Sequence, residues 1–328
     1  MTPVSPRAGT ALDRLLAGTF RDPDGAGVLK VDTRAVVIAP SLAGQEADLL
    51  RAAGIGARRL AVVSDATTRK VLGARVESAL AGSARIDAVV LDGRPHPDDD
   101  TVERVRAAAA AAGALIAVGS GTINDIAKMA AFRGAKPYVV FATAPSMNGY
   151  TSPTAAITVH GHKKSLPAAA AAGVFLDLGV LARAPARMIR AGLGDSLCRC
   201  TAQADWLLAH LLRDEPYREA PFALLREDED GLLAAPEALL QGEAEAMERL
   251  ARTLVLSGFG MAICGSSKPA SQGEHLISHY ADMMGDPGWR ENLHGEQIAL
   301  TTLTMARLQE QVLAQAAPRV RPSAATRA

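Results

Sequence analysis

The sequence predicts an N-terminal α/β domain with a doubly wound parallel sheet, followed by an all-α domain. In the first half, short apolar runs rich in β-branched residues alternate with helical patterns, as in a parallel sheet covered by helices on both faces. After about residue 180 the strand pattern stops and long helical patterns follow. Because 328 residues are more than one core usually holds, we expect two domains, 1–180 and 181–328.

The predicted strands are short, apolar and bounded by polar or turn residues. They cover residues 34–39, 59–63, 88–91, 114–118 and 138–141, and a hairpin turning at 160–162 leads out of the sheet. Helices are predicted at 45–53, 67–80, 98–112 and 124–132, and in the second half at 186–212, 236–256, 275–284 and 296–315. The acidic run 226–230 is predicted to be a solvated loop between helices.

Composition excludes several classes of function. Lys+Arg and Asp+Glu each total 35 and aromatic residues make up 4%, so neither a basic field nor stacking platforms favour nucleic acid. The three cysteines include no CxxC pair, which predicts a reduced, cytoplasmic setting. The N-terminal segment lacks an apolar secretory core, and the longest apolar run is too short for a bilayer. We therefore expect a cytoplasmic protein with no membrane partner.

A glycine-rich turn follows the fourth predicted strand. Gly119, Ser120, Gly121 and Thr122 open the next helix, and a doubly wound sheet binds nucleotides between a strand's carboxyl end and such a helix N-terminus. The turn matches neither GxGxxG nor a Walker P-loop. Residue types alone therefore leave two interpretations, a phosphate cradle or a plain glycine turn with a threonine cap.

Two further polar positions follow predicted strands. The segment 143–152 carries several hydroxyl groups at the carboxyl end of its strand, so these groups could face the same crevice. Asp65 ends the second strand, where an acidic residue commonly binds an adenosine ribose. An equally simple interpretation of Asp65 is a helix N-cap.

Three of the seven histidines lie within twenty residues of one another. His275 and His279 are four residues apart, so on a helix they share one face, and His294 follows in the next segment. These imidazoles could bind a zinc-like ion with an open coordination position, or they could be ordinary surface and packing histidines.

Five motifs, in order along the chain, resemble the glycerol-1-phosphate dehydrogenases of the iron-containing alcohol dehydrogenase and dehydroquinate synthase-like superfamily. They are Gly-Ser-Gly-Thr-Ile-Asn-Asp (119–125), Thr-Ala-Pro-Ser with Asn-Gly-Tyr-Thr-Ser (143–152), Gly-Leu-Gly-Asp (192–195), Glu-His-Leu-Ile-Ser-His (274–279) and Leu-His-Gly-Glu-Gln (293–297). The resemblance covers residues 30–310 and implies an active site in the cleft between the two domains.

The resemblance also implies roles for individual residues. Asp195, His275 and His294 would bind a divalent metal, expected to be zinc, with iron or nickel as alternatives. Asn148, Asp195 and His279 would contact the substrate. Asp65 would bind the adenosine ribose, which favours NAD over NADP because its charge would repel a 2′-phosphate. The remaining cofactor contacts would be Gly119, Ser120, Gly121, Thr122, Ile123, Thr143, Ser146 and Ser152.

One carboxylate and two neutral imidazoles suit a divalent ion that polarises a ketone for hydride transfer from a nicotinamide. The resemblance therefore implies reversible reduction of dihydroxyacetone phosphate to sn-glycerol 1-phosphate, with Asp195 and His279 as catalytic residues. A reductase of a related phosphonate or polyol ketone is one alternative, and a truncated, inactive nucleotide-binding homologue is another. A cyclase like dehydroquinate synthase fits the motifs less well.

Two departures from the family pattern lead to further expectations. The family usually has Asp at the position of Asn148, and the loss of this charge could shift preference toward a more anionic substrate, such as a hydroxy-oxo-alkyl phosphonate. Relatives also continue for several helices beyond the region 309–322. A shorter helical domain would expose apolar surface, which favours oligomerisation, and we expect a homo-oligomer, a dimer.

Overall fold

Eight strands occur in the computed structural model, which describes residues 9–234, 236–284, 289 and 292–316. The N-terminal segment Met1–Arg7, for which the sequence predicts no secretory core, lies outside these residues. The strands are β1 (Ala35–Ala39), β2 (Arg59–Asp65), β3 (Arg85–Leu91), β4 (Ala114–Gly119), β5 (Tyr138–Ala142), β6 (Thr154–Val159), β7 (His162–Pro167) and β8 (Gly173–Asp177).

The main sheet is parallel throughout and has the strand order β1-β8-β5-β4-β2-β3. From β2 the chain continues outward to β3, and from β4 it continues the opposite way to β5. The order therefore reverses between β2 and β4. The carboxyl ends of these two strands border the crevice in which open α/β sheets bind their ligands.

Helices of the first half cover both faces of this sheet. They are α1 (Ala11–Leu16), α2 (Glu46–Ala52), α3 (Ala66–Thr68), α4 (Ala74–Leu80), α5 (Asp99–Ala108) and α6 (Gly121–Arg133), with a π-helical turn at Arg69–Gly73. Strand residues alternate between two apolar clusters: Val62 and Ile116 pack with α2 and α4, whereas Ala61 and Leu115 pack with α5 and α6. Period-two alternation in strands buried on both faces explains why they read as continuous apolar runs.

The second half is helical, and the prediction of an α/β domain followed by a helical domain is confirmed. Its helices are α7 (Leu178–Leu181), α8 (Ala186–Arg213), α9 (Ala220–Ala234), α10 (Pro236–Leu240), α11 (Ala244–Cys264), α12 (Gly273–Met284) and α13 (His294–Leu313), with a 3-10 turn at Lys268–Ala270. The predicted boundary at 180/181 falls inside α7 and stays a prediction.

The structure corrects three sequence predictions. Strand β8 was missed because it follows an alanine-rich stretch without turn residues, yet it lies between β1 and β5 in the sheet. The acidic run 226–230 is helical and not a loop, because Glu229 pairs with Arg199 and Asp228 with Arg252 on neighbouring helices. The single helix predicted at 236–256 is two helices, interrupted at Gly242, whose φ is +75°.

Large apolar side chains remain exposed on the helical domain. Leu276 and Tyr280 on α12, and Leu300 and Leu303 on α13, are each more than half exposed. Crossing a membrane requires a longer and more uniformly apolar helix than any in the described part of the chain.

Helix α8 approaches its neighbours closely at two glycines. A Cβ on Gly192 would overlap the carbonyl oxygen of Pro145, and one on Gly194 would overlap that of Gly295 at the start of α13. Only glycine allows backbones to come this close. These contacts bring α8 against both the loop after β5 and the first turn of α13.

We predict that Gly192→Ala destabilises the protein by about 1–3 kcal/mol, since the added methyl group must displace backbone rather than a flexible side chain. Urea unfolding measures the change. Gly56→Ala is the matched control, because a Cβ there meets nothing within 4 Å. Equal effects of the two substitutions would contradict the close approach at Gly192.

Candidate active site

The glycine-rich turn lies at the carboxyl end of β4, beside the point where the strand order reverses. Ser120 is the N-cap residue of α6, and no side chain in the described part of the protein caps this helix start. A Cβ on Gly119 would lie 2.5 Å from Cβ of Ile123, so glycine is needed for α6 to pack directly behind its strand. The first N–H groups of a 13-residue helix thus face the crevice, where they can bind an anion.

A buried lysine on α6 holds the loop between β5 and β6 through hydrogen bonds. Lys128 on α6 donates to the carbonyl oxygens of Gly149 (2.7 Å), Ser152 (3.0 Å) and Thr154 (2.9 Å). Burial lowers the pKa of Lys128 to about 8, against the opposing effect of the Asp125 carboxylate. The sequence analysis assigned Lys128 no role, and its place three residues after the motif 119–125, one helical turn beyond Asp125, was the available signal.

Asp125 ties the same helix to the next strand. Its carboxylate accepts hydrogen bonds from the backbone N–H of Ala156 (3.1 Å) and from Nδ2 of Asn124 (3.1 Å). Burial raises the pKa of Asp125 above its ordinary value, and the Lys128 ammonium acts in the opposite direction. The two charges partly compensate each other, and together they fix the loop that faces the crevice.

The other predicted cofactor residues differ in how they are placed. Thr143 donates its backbone N–H to the Gly119 carbonyl (3.1 Å), which joins the two turns, and Ser146 lies half-buried in the same loop. The Ser152 hydroxyl is buried and bonded within its own loop, to the carbonyls of Gly149 and Thr154. The Asp65 carboxylate caps α3 through the N–H groups of Thr67 and Thr68. The ribose and cofactor contacts of these residues stay predictions.

Asp195, His275 and His294 come together in the cleft between the two domains. Their ligand atoms all lie within 4.8 Å of one another, although they belong to three different helices, α8, α12 and α13. Oδ2 of Asp195 accepts the backbone N–H of Asn148 (2.9 Å), while Oδ1 is buried without a hydrogen-bond partner in the described structure. Oδ1 lies 3.8 Å from Nε2 of His294.

This arrangement fits a divalent cation. Burial raises the pKa of Asp195, and burial, together with the ammonium of Lys163, lowers the pKa of His294 well below its usual value. A buried carboxylate oxygen without a donor is costly, and a cation there would stabilise its charged form. Neutral imidazole is the form that binds metal.

A second carboxylate orients one of the imidazoles. Oε1 of the fully buried Glu274 lies 2.9 Å from Nδ1 of His275, which directs Nε2 of that ring toward Asp195 and His294. Glu274 is itself held by the N–H of Gln272 (2.8 Å) and the hydroxyl of Thr201 (3.3 Å). Metal-binding histidines commonly have such a carboxylate behind them. Sequence analysis quoted Glu274 in its motif but gave it no role.

Cys198, Glu274 and His275 form another possible metal cluster. Metal binding requires the thiolate, and burial raises the pKa of Cys198 well above its ordinary value. The Cys198 thiol donates to the Asp195 carbonyl (3.1 Å), and Glu274 is already engaged with His275. The donor set of Asp195, His275 and His294 is therefore the better metal site.

His279 and Asn148 border this cluster without belonging to it. The His279 ring lies 6.1 Å from the His275 ring, centroid to centroid, and is half-buried. The amide of Asn148 donates to the Ser257 hydroxyl on α11 (3.2 Å). The substrate contacts expected of His279 and Asn148 stay predictions.

Comparison with known proteins identifies the family to which the chain belongs. The family described as iron-containing alcohol dehydrogenase matches residues 37–185. A glycerol-1-phosphate dehydrogenase [NAD(P)+] of Thermococcus kodakarensis is 32% identical over 277 residues, which are 84% of this chain and 77% of the relative. The chain belongs to the glycerol-1-phosphate dehydrogenase family. The resemblance inferred from the five motifs is confirmed.

Two further relatives define the extent of the similarity. The glycerol-1-phosphate dehydrogenase [NAD(P)+] of Bacillus licheniformis is 34% identical over 254 residues, but the match covers 76% of this chain and only 63% of that protein. A probable glycerol dehydrogenase from Sinorhizobium meliloti superposes with a TM-score of 0.69 at 24% identity, covering 85% of this chain and 77% of that structure. At this level of identity, the structural similarity supports the fold and carries no conclusion about function.

The geometry separates the roles of the two histidines on α12. We predict that His275→Ala abolishes binding of a divalent metal, because it removes one of three donors, whereas His279→Ala leaves metal binding intact and impairs turnover. Metal content after dialysis, measured by elemental analysis, distinguishes the two variants. Loss of metal in both would restore a site built from all three histidines.

Proposed function

We propose that this protein catalyses the reversible, NAD(P)H-linked reduction of dihydroxyacetone phosphate to sn-glycerol 1-phosphate. The observation that carries the proposal is the cluster of Asp195, His275 and His294, whose ligand atoms all lie within 4.8 Å of one another. The names of the relatives support the same reaction. NAD is the favoured cofactor because of Asp65, and zinc the favoured metal, with iron or nickel as alternatives.

In this proposal the two domains bind different reactants. The start of α6, with Gly119, Ser120, Gly121, Thr122 and Ile123, binds the cofactor phosphates, and the loop with Thr143 and Ser146 lies toward the nicotinamide. The helical domain holds the metal through Asp195, His275 and His294. When bound, the metal would polarise the substrate carbonyl as a Lewis acid, and the nicotinamide cofactor would supply the hydride.

The remaining residues position the substrate and handle the proton. Asp195 accepts a hydrogen bond from the N–H of Asn148, which joins the loop after β5 to the metal site. Asn148 contacts a substrate hydroxyl through its amide. His279 gives a proton to the oxygen of the former carbonyl, directly or through a water molecule, since its ring is the next one along the face of α12.

Turnover of ketones by the metal-loaded protein tests this proposal. With zinc and NADH, we expect oxidation of NADH in the presence of dihydroxyacetone phosphate, and loss of activity by at least about 100-fold in Asp195→Asn, which preserves size but removes the charge. Absorbance at 340 nm follows the reaction, and chiral analysis identifies the product. A protein that binds NADH and metal but reduces no ketone would instead be the inactive nucleotide-binding homologue.

A second candidate substrate rests on Asn148, which stands where the family usually has Asp. A neutral amide repels the anionic group of a ketone substrate less than a carboxylate does, and a hydroxy-oxo-alkyl phosphonate is the second candidate substrate of this kind. We predict that Asn148→Asp lowers kcat/KM for such a phosphonate relative to dihydroxyacetone phosphate, because it adds a negative charge next to the substrate. An unchanged ratio of the two efficiencies would exclude this role of Asn148.

The dimer expected from the sequence stays a prediction.

A further inference from the structure

The hairpin of β6 and β7 extends from the sheet domain toward the helical domain. Its first strand is well anchored: Thr158 donates its backbone N–H to the Pro97 carbonyl (2.7 Å), and Ile157 is fully buried. His160 and Gly161 turn the chain with φ angles of +52° and +78°, as a tight two-residue hairpin requires. Strand β7 is therefore presented at a defined position although it is mostly exposed.

Lys163 on β7 lies next to the face of α12 that carries the two histidines. Its Nζ is 4.0 Å from Oδ2 of Asp282, and Asp282 follows His279 by three residues, so the two share one helix face. Lys163 pairs with Thr158 across the hairpin, and its side chain is 41% exposed. The partly exposed ammonium group thus lies close to the helix face that carries His279.

The positive charge of Lys163 affects the pKa values of residues at the centre of the candidate site. It contributes to lowering the pKa values of His279 and His294, and it favours the ionised form of Asp195. Other cations of the described cleft are engaged differently. Lys128 is buried among carbonyl oxygens, and Arg187 makes two short hydrogen bonds to Glu296 (2.7 and 2.8 Å).

We propose that Lys163 binds the phosphate group of the substrate and so selects phosphorylated ketones. This inference rests on the proposed function. In dihydroxyacetone phosphate the phosphorus is three covalent bonds from the carbonyl carbon, so the phosphate must lie close to, but beside, the metal and hydride positions. A partly exposed ammonium group adjoining His279 meets this requirement, and lysine binds phosphate as a point charge with three donors.

Substitution of Lys163 separates phosphate recognition from chemistry. Lys163→Gln should raise KM for dihydroxyacetone phosphate by about 10- to 100-fold and should lower the efficiency on unphosphorylated dihydroxyacetone far less, because only the phosphorylated ketone offers an anionic group to the ammonium. Lys163→Arg should restore most of the loss. Lys164→Gln is the matched control: it removes the same charge from the next residue of β7, whose side chain points to the opposite face. It should change neither parameter.

A binding measurement keeps this inference distinct from the proposed function. Calorimetry on the metal-loaded protein with sn-glycerol 1-phosphate and with glycerol gives the phosphate-dependent part of the affinity without turnover. A phosphate-dependent gain that Lys163→Gln removes would support the subsite even if no ketone were reduced, in which case only the proposed reaction would fail.

Two outcomes would overturn the role of Lys163. One is an equal loss for the phosphorylated and unphosphorylated substrates in Lys163→Gln. The other is the same phosphate-specific loss in Asp282→Asn, which would mean that the contact between Lys163 and Asp282 positions α12 and that the ammonium does not itself bind phosphate.

Discussion

The candidate site depends on the close approach of α8 to its two neighbours. Asp195 follows Gly192 and Gly194, and these glycines allow α8 to contact the Pro145 carbonyl on one side and Gly295 on the other. As a result, Asp195 accepts a hydrogen bond from Asn148 in the sheet domain and lies 3.8 Å from His294 in the helical domain. A single buried carboxylate therefore links the two halves of the cleft.

The sheet domain needs a second buried charge to keep its side of the cleft in place. Moving an ammonium group out of water is costly, and Lys128 recovers part of this cost through three carbonyl oxygens and the nearby Asp125. An apolar residue at this position would take one donor away from each of these carbonyls. The buried charge therefore helps to hold the loop that contacts Asp195.

Local sequence patterns predicted most strands and turns of the sheet domain, but they did not identify the three candidate metal ligands without the family resemblance. Local patterns predict strands and glycine turns, since these depend on neighbouring residues. The histidine spacing suggested His275, His279 and His294 together, and only the family resemblance exchanged His279 for Asp195, about eighty residues earlier. Strand β8 and the helical acidic run were missed because their environment is tertiary: β8 inserts between β1 and β5, and Glu229 is neutralised by Arg199.

The distribution of charge across the cleft gives a physical reason for the two-domain design. The sheet domain offers backbone N–H groups at the start of α6, a fixed and uncharged anion site, whereas the helical domain concentrates carboxylate and imidazole donors for a cation. In the proposed function, Lys163, on a hairpin anchored to the sheet domain but adjoining α12, places a positive charge between the two sets. A substrate that carries both a carbonyl and a phosphate would then span the cleft, with its carbonyl at the helical donors and its phosphate at the hairpin.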